Sequence, residues 1–464
     1  MHEPERMGTQ PILKLLVTFA LPSIAGMVAN ALYNIVDRMF VGLIVGPEGL
    51  AAISLCFSFM LFNMAVCLLF GVGASPLMSI ALGGNDRPRA ERILGTTATS
   101  VFVAACSIAL FSAWKLDFIL RLSGAGETLL EPAREYLEII LWGIPFSALA
   151  FTLNFCIRAE GRPAFAMGTQ MLGAFSNIVL DAVFIIYLDM GIAGAAWGTI
   201  ISQGIAAVWV LSFYFRRLGV LRFRAKHLTP RLSLLGSTLP LGLSPFLTEM
   251  SFTFFFILFN RALAFYGGDL AVSAMGAFMG WDSLLFMPVI GIGEAAQTLF
   301  AYNYGARFMK RILEILKWAL ILASVYFICS ALSVTFWAEK MLRLFTADAE
   351  LLNMAAAGAR ISYAGVLFVG IALIGISFFQ GLGKAKICLF LNLARQLLFL
   401  IPALWFLPKI WGLSGVWYCF PAMDIGGGTL ALCFLLWAYK RLGLDLFEDR
   451  RENQGEDRRE GSSA

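Results

Sequence analysis

Charged residues and histidines are scarce in this chain of 464 residues. Asp, Glu, Lys and Arg make up 14% of it, only 2 histidines occur, and 59% of the residues are hydrophobic. Soluble domains carry roughly 25% charged and about 45–50% apolar residues. This composition excludes a soluble globular protein. His2 lies near the N-terminus and His227 in a polar connection, which excludes an intramembrane histidine relay.

Several motifs that mark other classes of protein are also missing. No GxxxxGK[ST] loop occurs, so ATP hydrolysis by this chain is not expected. No HExxH, Asp-rich metal motif or CxxC occurs, which argues against a membrane-embedded enzyme and against a structural metal site. The cysteines lie singly in apolar segments and are interpreted as small buried hydrophobes without disulfides: Cys56, Cys67, Cys106, Cys156, Cys329, Cys388, Cys419 and Cys433.

Long apolar segments are abundant, and the mean hydropathy is +0.79. About 20 apolar residues cross a bilayer as a helix, and the sequence predicts an all-α integral membrane protein. No removable signal peptide is expected, because Glu3, Glu5 and Arg6 precede the first apolar segment and no cleavage pattern follows it. Twelve transmembrane helices are predicted, at roughly 13–38, 50–81, 91–113, 132–157, 163–187, 192–215, 233–262, 270–303, 312–337, 352–380, 385–407 and 412–439.

The second half of the chain repeats the landmarks of the first about 220 residues later. Gly71-Val72-Gly73 matches Gly291-Ile292-Gly293, Ala159-Glu160-Gly161-Arg162 matches Phe379-Gln380-Gly381-Leu382, and Gly191-Ile192-Ala193-Gly194 matches Gly412-Leu413-Ser414-Gly415. The pattern predicts two pseudo-symmetric six-helix bundles, and transporters place their substrate site between such repeats.

The bundles are expected at 13–215 (N-lobe) and 232–441 (C-lobe), joined by a cytoplasmic linker at 216–231. Lys and Arg concentrate in the connections after the even-numbered segments, which places those connections and both termini in the cytoplasm. The same topology explains the net charge of +5 without nucleic-acid binding. Residues 1–12 are read as a cytoplasmic N-terminus, and residues 442–464, of mixed charge and low hydrophobicity, as a disordered tail.

Ionisable groups inside membrane segments are costly and usually functional. The first segment contains Asn30, Asn34 and Asp37 at i, i+4, i+7 spacing, and the fifth contains Asn177 and Asp181 four residues apart. Each set therefore lies on one helix face. The two carboxylates could coordinate a hard cation such as Na⁺ through oxygen or share a proton. Alternatively, Asp37 pairs with Arg38 at the membrane surface and Asp181 caps a helix end.

These residues resemble the multidrug and toxic compound extrusion (MATE) family. The resemblance rests on Leu32-Tyr33-Asn34-Ile35-Val36-Asp37, Arg158-Ala159-Glu160-Gly161, Asn177-Ile178-Val179-Leu180-Asp181, Pro288-Val289-Ile290-Gly291 and Tyr302-Asn303-Tyr304-Gly305-Ala306. It implies two six-helix lobes forming a V, and export of organic cations and drugs against inward flow of Na⁺ or H⁺. It also implies an N-lobe cation site, which could hold Na⁺, at Asp37, Asn154, Asn177, Asp181 and Thr199, with Tyr33 nearby. No other cofactor is implied.

The second lobe lacks these acids, since the repeat places Phe255 opposite Asp37 and the stretch near Leu400 opposite Asp181. Coupling is therefore expected to be asymmetric. The C-lobe has intramembrane charges of its own: Glu249, Asp282, Glu294, Arg395 and Asp424. Arg395 is expected to neutralise one of the acids, with Glu294 as one candidate partner.

The expected substrate cavity combines Glu249 as its main acidic residue with polar and soft apolar side chains: Asn30, Asn34, Met250, Phe254, Met275, Met279, Met287 and Arg395. The sequence thus predicts a monomeric secondary active exporter of drugs in the inner membrane of a bacterium. A lipid-linked oligosaccharide flippase of the same superfamily is the alternative, although it is expected to have a strongly basic cavity. A channel is less favoured, because paired lobes indicate alternating access.

Overall fold

The computed structural model describes residues 3–343 and 348–460; the side chains of Glu3, Pro4, Asn34, Arg38, Pro47, Ala225, Thr253 and the residues after Arg441 lie outside the description. In these ranges the chain is almost wholly helical and contains no strand. The helices are α1 Glu3–Thr9, α2 Ile12–Phe40, α3 Pro47–Gly83, α4 Arg87–Trp114, α5 Leu116–Leu122, α6 Glu127–Ala159, α7 Pro163–Asp181, α8 Gly191–Phe215, α9 Leu232–Gly305, α10 Met309–Leu342, α11 Ala349–Ser362, α12 Val366–Gly381, α13 Ala385–Ala394 and α14 Ile401–Glu460.

Two of these helices are each a pair of membrane segments joined by a very short turn. Helix α9 is interrupted at Gly268 (φ 66°) and α14 at Gly412 (φ 56°). The described part of the chain has 10 helical stretches long and apolar enough to cross a membrane, and these two breaks divide them into the twelve predicted segments. The prediction of an all-α, twelve-segment membrane fold is confirmed.

The two halves share their backbone turns. Residues with positive φ recur at an offset of about 222 residues in the pairs Asn85 and Arg307, Gly161 and Gly383, and Gly46 and Gly268. The landmark match of Gly161 with Gly381 therefore needs correction by two residues, because Gly161 corresponds to Gly383. The match of Gly191 with Gly412 is confirmed, since both glycines have positive φ. The same offset places Phe259, not Phe255, opposite Asp37.

Helices α2, α3, α4, α6, α7 and α8 pack together as one bundle, and α9 to α14 as the other. The bundles meet where α2 and α3 lie against α9. At this contact Gly83 faces the carbonyl group of Tyr302, and Gly305 faces the carbonyl group of Ile80, so that a Cβ on either glycine would overlap backbone. Since Ile80 and Gly83 are the counterparts of Tyr302 and Gly305, the pseudo-twofold axis passes between α3 and α9.

The linker follows the surface of the first bundle. Glu160 Oε2 accepts hydrogen bonds from the amides of Val220 (2.9 Å) and Leu221 (3.1 Å). Arg224 Nε lies 2.6 Å from Glu91 Oε2. The side of the molecule that carries the linker, together with the α3–α4 and α9–α10 turns, is called the linker end below.

The terminal segments and the cysteines differ from the expectations. Helix α1 is docked on the second bundle, where Arg311 Nη2 donates to the carbonyl groups of Met7 (3.3 Å) and Gln10 (2.7 Å). The backbone is helical from residue 442 to Glu460 instead of irregular, consistent with the high helix propensity of Glu and Arg. Five cysteines are buried as predicted, but Cys106 is half-buried and Cys329 and Cys433 are exposed on apolar outer helix surfaces.

Candidate functional site

Asp37 and Asp181 come together inside the first bundle. Asp37 lies four residues before the π-helical turn Val41–Val45, and Asp181 directly precedes the π-helical turn Ala182–Tyr187. Such turns widen a helix and often occur at functional positions. The two carboxyl groups are within hydrogen-bonding contact of each other. Asp181 is buried and Asp37 is half-buried, and adjacent carboxylates shielded from water repel each other when both are ionised. A shared proton or a bound cation would relieve that repulsion.

Asn177 contacts the pair, and Thr199 lies next in sequence to a residue that contacts it. Asn177 Nδ2 donates to Asp181 Oδ1 over 3.2 Å, and both residues are buried. In the described ranges no donor reaches the buried Asn177 Oδ1, which makes this oxygen suitable as a ligand for a cation. Gly198 on α8 lies against Asp181 Oδ1, and the buried Thr199 follows it.

Tyr136 is a member of this site that sequence reasoning missed. It lies on α6, is 1% exposed, and interacts electrostatically with Asp37, Tyr33 and Asp181. The prediction of Tyr33 near the pair agrees with this arrangement. A tyrosine hydroxyl within a membrane segment was the available signal for Tyr136, because a buried hydroxyl needs a polar partner.

Asn154 does not belong with the two carboxylates. Its Nδ2 donates to the carbonyl group of Ala166 (2.9 Å), and its Oδ1 accepts from Arg158 Nε (3.2 Å). Ala166 is near the start of α7 and Asp181 at its end. With a rise of about 1.5 Å per residue they are roughly 22 Å apart, so the placement of Asn154 in the cation site is wrong for this structure.

The structure tests one of the two alternative roles, helix capping by Asp181, and not the other, pairing of Asp37 with Arg38. Asp181 makes no capping hydrogen bond at the helix end, so the capping interpretation is wrong. Pairing of Asp37 with Arg38 concerns a side chain outside those described, as does the placement of Asn34. Asn30 is exposed on α2 and is separated from Asp37 by about two helical turns.

The second bundle contains a charge network that spans four of its elements. Arg395 Nη2 donates to Asp424 Oδ1 over 2.6 Å, and Tyr363 donates its hydroxyl proton to Asp282 Oδ1 over 2.9 Å. Arg395 begins the π-helical turn Arg395–Leu400. The prediction that Arg395 neutralises an acid is confirmed, with Asp424 as its partner.

Glu294 pairs with a residue that was not considered. Its carboxylate forms an ion pair with the guanidinium group of Arg158 on α6 of the first bundle. Glu294 as the partner of Arg395 is therefore wrong. The error arises because the contact is between distant parts of the chain. Arg158 lies at the end of α6, and its side chain reaches the adjoining bundle, which residue spacing within one half cannot indicate.

The predicted cavity residues are distributed over α9. Glu249 is half-buried, and within the ranges that the structure describes it has no ion-pair or hydrogen-bond partner. Met250, Met279 and Met287 are half-buried and Phe254 is 56% exposed. Met275 is a core side chain at 1% exposure, so its assignment to the cavity lining is wrong.

The two halves are each matched by one family pattern, that of MatE, over residues 22–183 and 245–405. The chain belongs to the MatE family. Each match contains most of one bundle, in agreement with the repeated turns. The segment from residue 22 to 183 includes both carboxylates of the candidate site.

Similar proteins include two named multidrug export proteins. The multidrug export protein MepA of Staphylococcus aureus (strain N315) is 26% identical over 441 residues, which covers 94% of this chain and 96% of that protein. MepA of Staphylococcus haemolyticus (strain JCSC1435) is 26% identical over 435 residues, with coverage of 94% and 95%.

Solved structures of MATE transporters share the fold of this MatE-family chain. A structure described as the outward-facing conformation of a multidrug resistance MATE family transporter has a TM-score of 0.88 at 23% identity, covering 95% of this chain and 98% of that one. A MOP superfamily transporter from Pyrococcus furiosus has a TM-score of 0.87 at 23% identity, with coverage of 94% and 97%. At this identity the likeness establishes the fold alone.

Proposed function

We propose that this protein is a secondary active multidrug exporter that moves organic cations and other drugs out of the cell in exchange for Na⁺ or H⁺. The observation that carries the proposal is the contact between the half-buried Asp37 and the buried Asp181 carboxyl groups in a MatE-family fold. The MepA relatives, which are named multidrug export proteins, support the substrate class.

The ion-coupling step uses the acid pair. A proton shared by Asp37 and Asp181, or a Na⁺ ion held by their oxygens with those of Asn177 and Thr199, compensates one of the two negative charges of the pair inside the bundle. When the ion leaves, like charges remain in a poorly solvated position, which favours a different packing of the surrounding helices. Alternating access follows if that repacking changes how the two bundles meet.

Substrate recognition is assigned to the cleft between the bundles. Glu249 supplies a carboxylate that has no counter-ion among the described residues, and the neighbouring Met250 and Phe254 supply soft and aromatic surface. A carboxylate attracts an organic cation by charge, and an aromatic face adds a cation–π contribution of about 0.5–2 kcal/mol.

A flippase for lipid-linked oligosaccharides is less favoured. An anionic lipid substrate calls for a basic cavity, whereas Arg395 is neutralised by Asp424 and Arg158 by Glu294. We place the protein as a monomer in the cytoplasmic membrane of a bacterium, with small molecules and lipid as its partners and no nucleic acid. The linker end and both termini are assigned to the cytoplasm by the Lys and Arg distribution.

The test is transport by purified protein in lipid vesicles with an imposed Na⁺ or H⁺ gradient. Net movement of a fluorescent organic cation against its own gradient, driven by one of the two ions, is the expected result. Movement that ignores both gradients, or that requires ATP, would contradict the proposal.

A further inference from the structure

An ion pair between a buried arginine and a partly buried glutamate joins the two bundles near the linker end. The Arg158 side chain on α6 is 8% exposed, and the Glu294 side chain on α9 is 21% exposed. Arg158 lies one residue before the end of α6, and Glu294 about three turns before the end of α9. Because the two residues belong to different bundles, any movement that separates the bundles at this end breaks the pair.

Arg158 is held firmly by its own bundle. Its Nε donates to Asn154 Oδ1 over 3.2 Å, and Asn154 is fixed in turn by the Ala166 carbonyl group. The guanidinium carbon lies 4.7 Å from the centre of the Phe155 ring. Arg158 would therefore stay with the first bundle, and Glu294 would leave with the second.

Glu294 depends on Arg158 for its counter-charge. In the described ranges Arg158 is the one cation that interacts with the Glu294 carboxylate. A carboxylate that is largely shielded from water is strongly destabilised when it loses its partner. Separation of the bundles is thus unfavourable unless another cation reaches Glu294.

The pair has no equivalent on the other side of the pseudo-twofold axis. At the offset of about 222 residues, Arg158 corresponds to Gln380 and Glu294 to Val72. Gln380 Nε2 instead donates to the carbonyl group of Leu241 over 3.3 Å. The charges of Arg158 and Glu294 are therefore not required by the helix packing that both halves share.

We propose that Glu294 captures a cationic substrate on the cytoplasmic side, and that Arg158 occupies the place of that cation when the bundles close. This inference rests on the proposed function and adds a second acidic residue, distinct from Glu249, to substrate recognition. The substrate class is an organic monocation. Arg158 and the substrate compete for one carboxylate, so capture of the substrate and separation of the bundles at this end favour each other.

The test compares binding of a monocationic dye and of an uncharged hydrophobic dye to purified protein in detergent, without any gradient. Loss of the carboxylate in Glu294→Gln should weaken binding of the cation at least tenfold. Loss of the competing guanidinium in Arg158→Gln should strengthen it by a similar factor. Neither variant should change binding of the uncharged dye by more than about twofold. Opposite shifts confined to the cation are the expected signature.

A merely structural ion pair gives a different pattern. In that case both variants would change binding in the same direction, or change both dyes alike, and either result overturns the proposal. Glu294→Asp guards against misfolding of the glutamine variant, because it keeps the charge on a shorter side chain and should give a smaller loss in the same direction. Arg360→Gln, which removes an exposed ion pair with Glu339, is the control and should leave both dyes unaffected.

Failure of this inference is distinguishable from failure of the proposed function. If the wild-type protein binds the cation with the expected variant pattern but moves no dye under any gradient, the exporter proposal fails and the role of Glu294 stands. If the wild-type protein exports the dye while neither variant alters its binding, the exporter proposal stands and the role of Glu294 is wrong.

Discussion

Gly198 on α8 lies directly against the carboxylate of Asp181 on α7, and a methyl group at this glycine would overlap Asp181 Oδ1. The position of the Asp181 carboxylate thus depends on Gly198, a residue that has no polar side chain. The carboxylate can approach α8 only because no side chain fills the space, so Gly198 positions Asp181 toward Asp37.

The first prediction uses this contact. Gly198→Ala should displace the Asp181 carboxylate and reduce ion-driven transport at least tenfold, equivalent to about 1.4 kcal/mol. Gly204→Ala on the same helix, where the added atom meets open space, should leave transport near the wild-type level. Vesicle transport by the two variants at equal protein content decides the matter. Equal activity of the two would show that Gly198 does not set the position of Asp181.

The second prediction concerns the acid pair itself. Asp37→Asn and Asp181→Asn should each abolish gradient-driven efflux while leaving membrane insertion unchanged, because each removes one charge without changing size. Asp117→Asn, at an exposed carboxylate, is the control. Wild-type efflux by a correctly inserted Asp37→Asn protein would rule out the coupling role.

A third prediction separates Glu249 from coupling. Glu249→Gln should weaken transport of a cationic substrate more than that of a neutral one, because the unpartnered carboxylate acts on charge. The dependence on the imposed ion gradient should persist. Transport of both substrates at several gradients provides the measurement. Equal loss for both, with the ion dependence gone, would place Glu249 in the coupling site.

A fourth prediction concerns the stability of the second bundle. Arg395→Gln leaves Asp424 buried without its counter-ion and should lower the free energy of unfolding by about 3 kcal/mol. Arg360→Gln removes an exposed pair and should cost less than about 1 kcal/mol. Thermal unfolding in detergent compares them. Indistinguishable melting temperatures for the two variants would show that the Arg395–Asp424 pair does not stabilise the bundle.

A fifth prediction concerns pH and the linker. Burial raises the pKa of Glu160, just beyond the end of α6, to about 8 from its ordinary 4.5. The unfolded chain then loses this proton at lower pH than the folded one, so Glu160 makes folding less favourable as pH rises from about 4.5 to 8. Glu160→Gln should flatten this part of the stability profile. Unfolding of both proteins across that range is the measurement, and Glu127→Gln at an exposed carboxylate should match the wild type.

Much of the architecture could be predicted because each membrane segment is a continuous apolar stretch of the sequence. The length and apolarity of the segments predicted all twelve of them. The spacing of Asn177 and Asp181 predicted that both side chains lie on one helix face, where Asn177 contacts the acid pair. What could not be predicted depends on contacts between distant residues. Tyr136 lies at the site because of how the helices of the first bundle pack. Asn154 lies outside it, because its side-chain amide is hydrogen-bonded to Arg158 and to the carbonyl group of Ala166. Glu294 forms its ion pair with a residue of the other bundle.

The contacts of Gly83 with Tyr302 and of Gly305 with Ile80 have a consequence for how the two halves could diverge. Along the axis each half touches the equivalent surface of the other, so a side chain added at Gly83 collides with the partner half, as does one added at Gly305. Away from the axis the helices of each half pack into a bundle of their own. There the first half brings Asp37 and Asp181 together, while the second half pairs Arg395 with Asp424. The two halves of a symmetric ancestor could thus acquire different functions while the contact surface at Gly83 and Gly305 stayed the same.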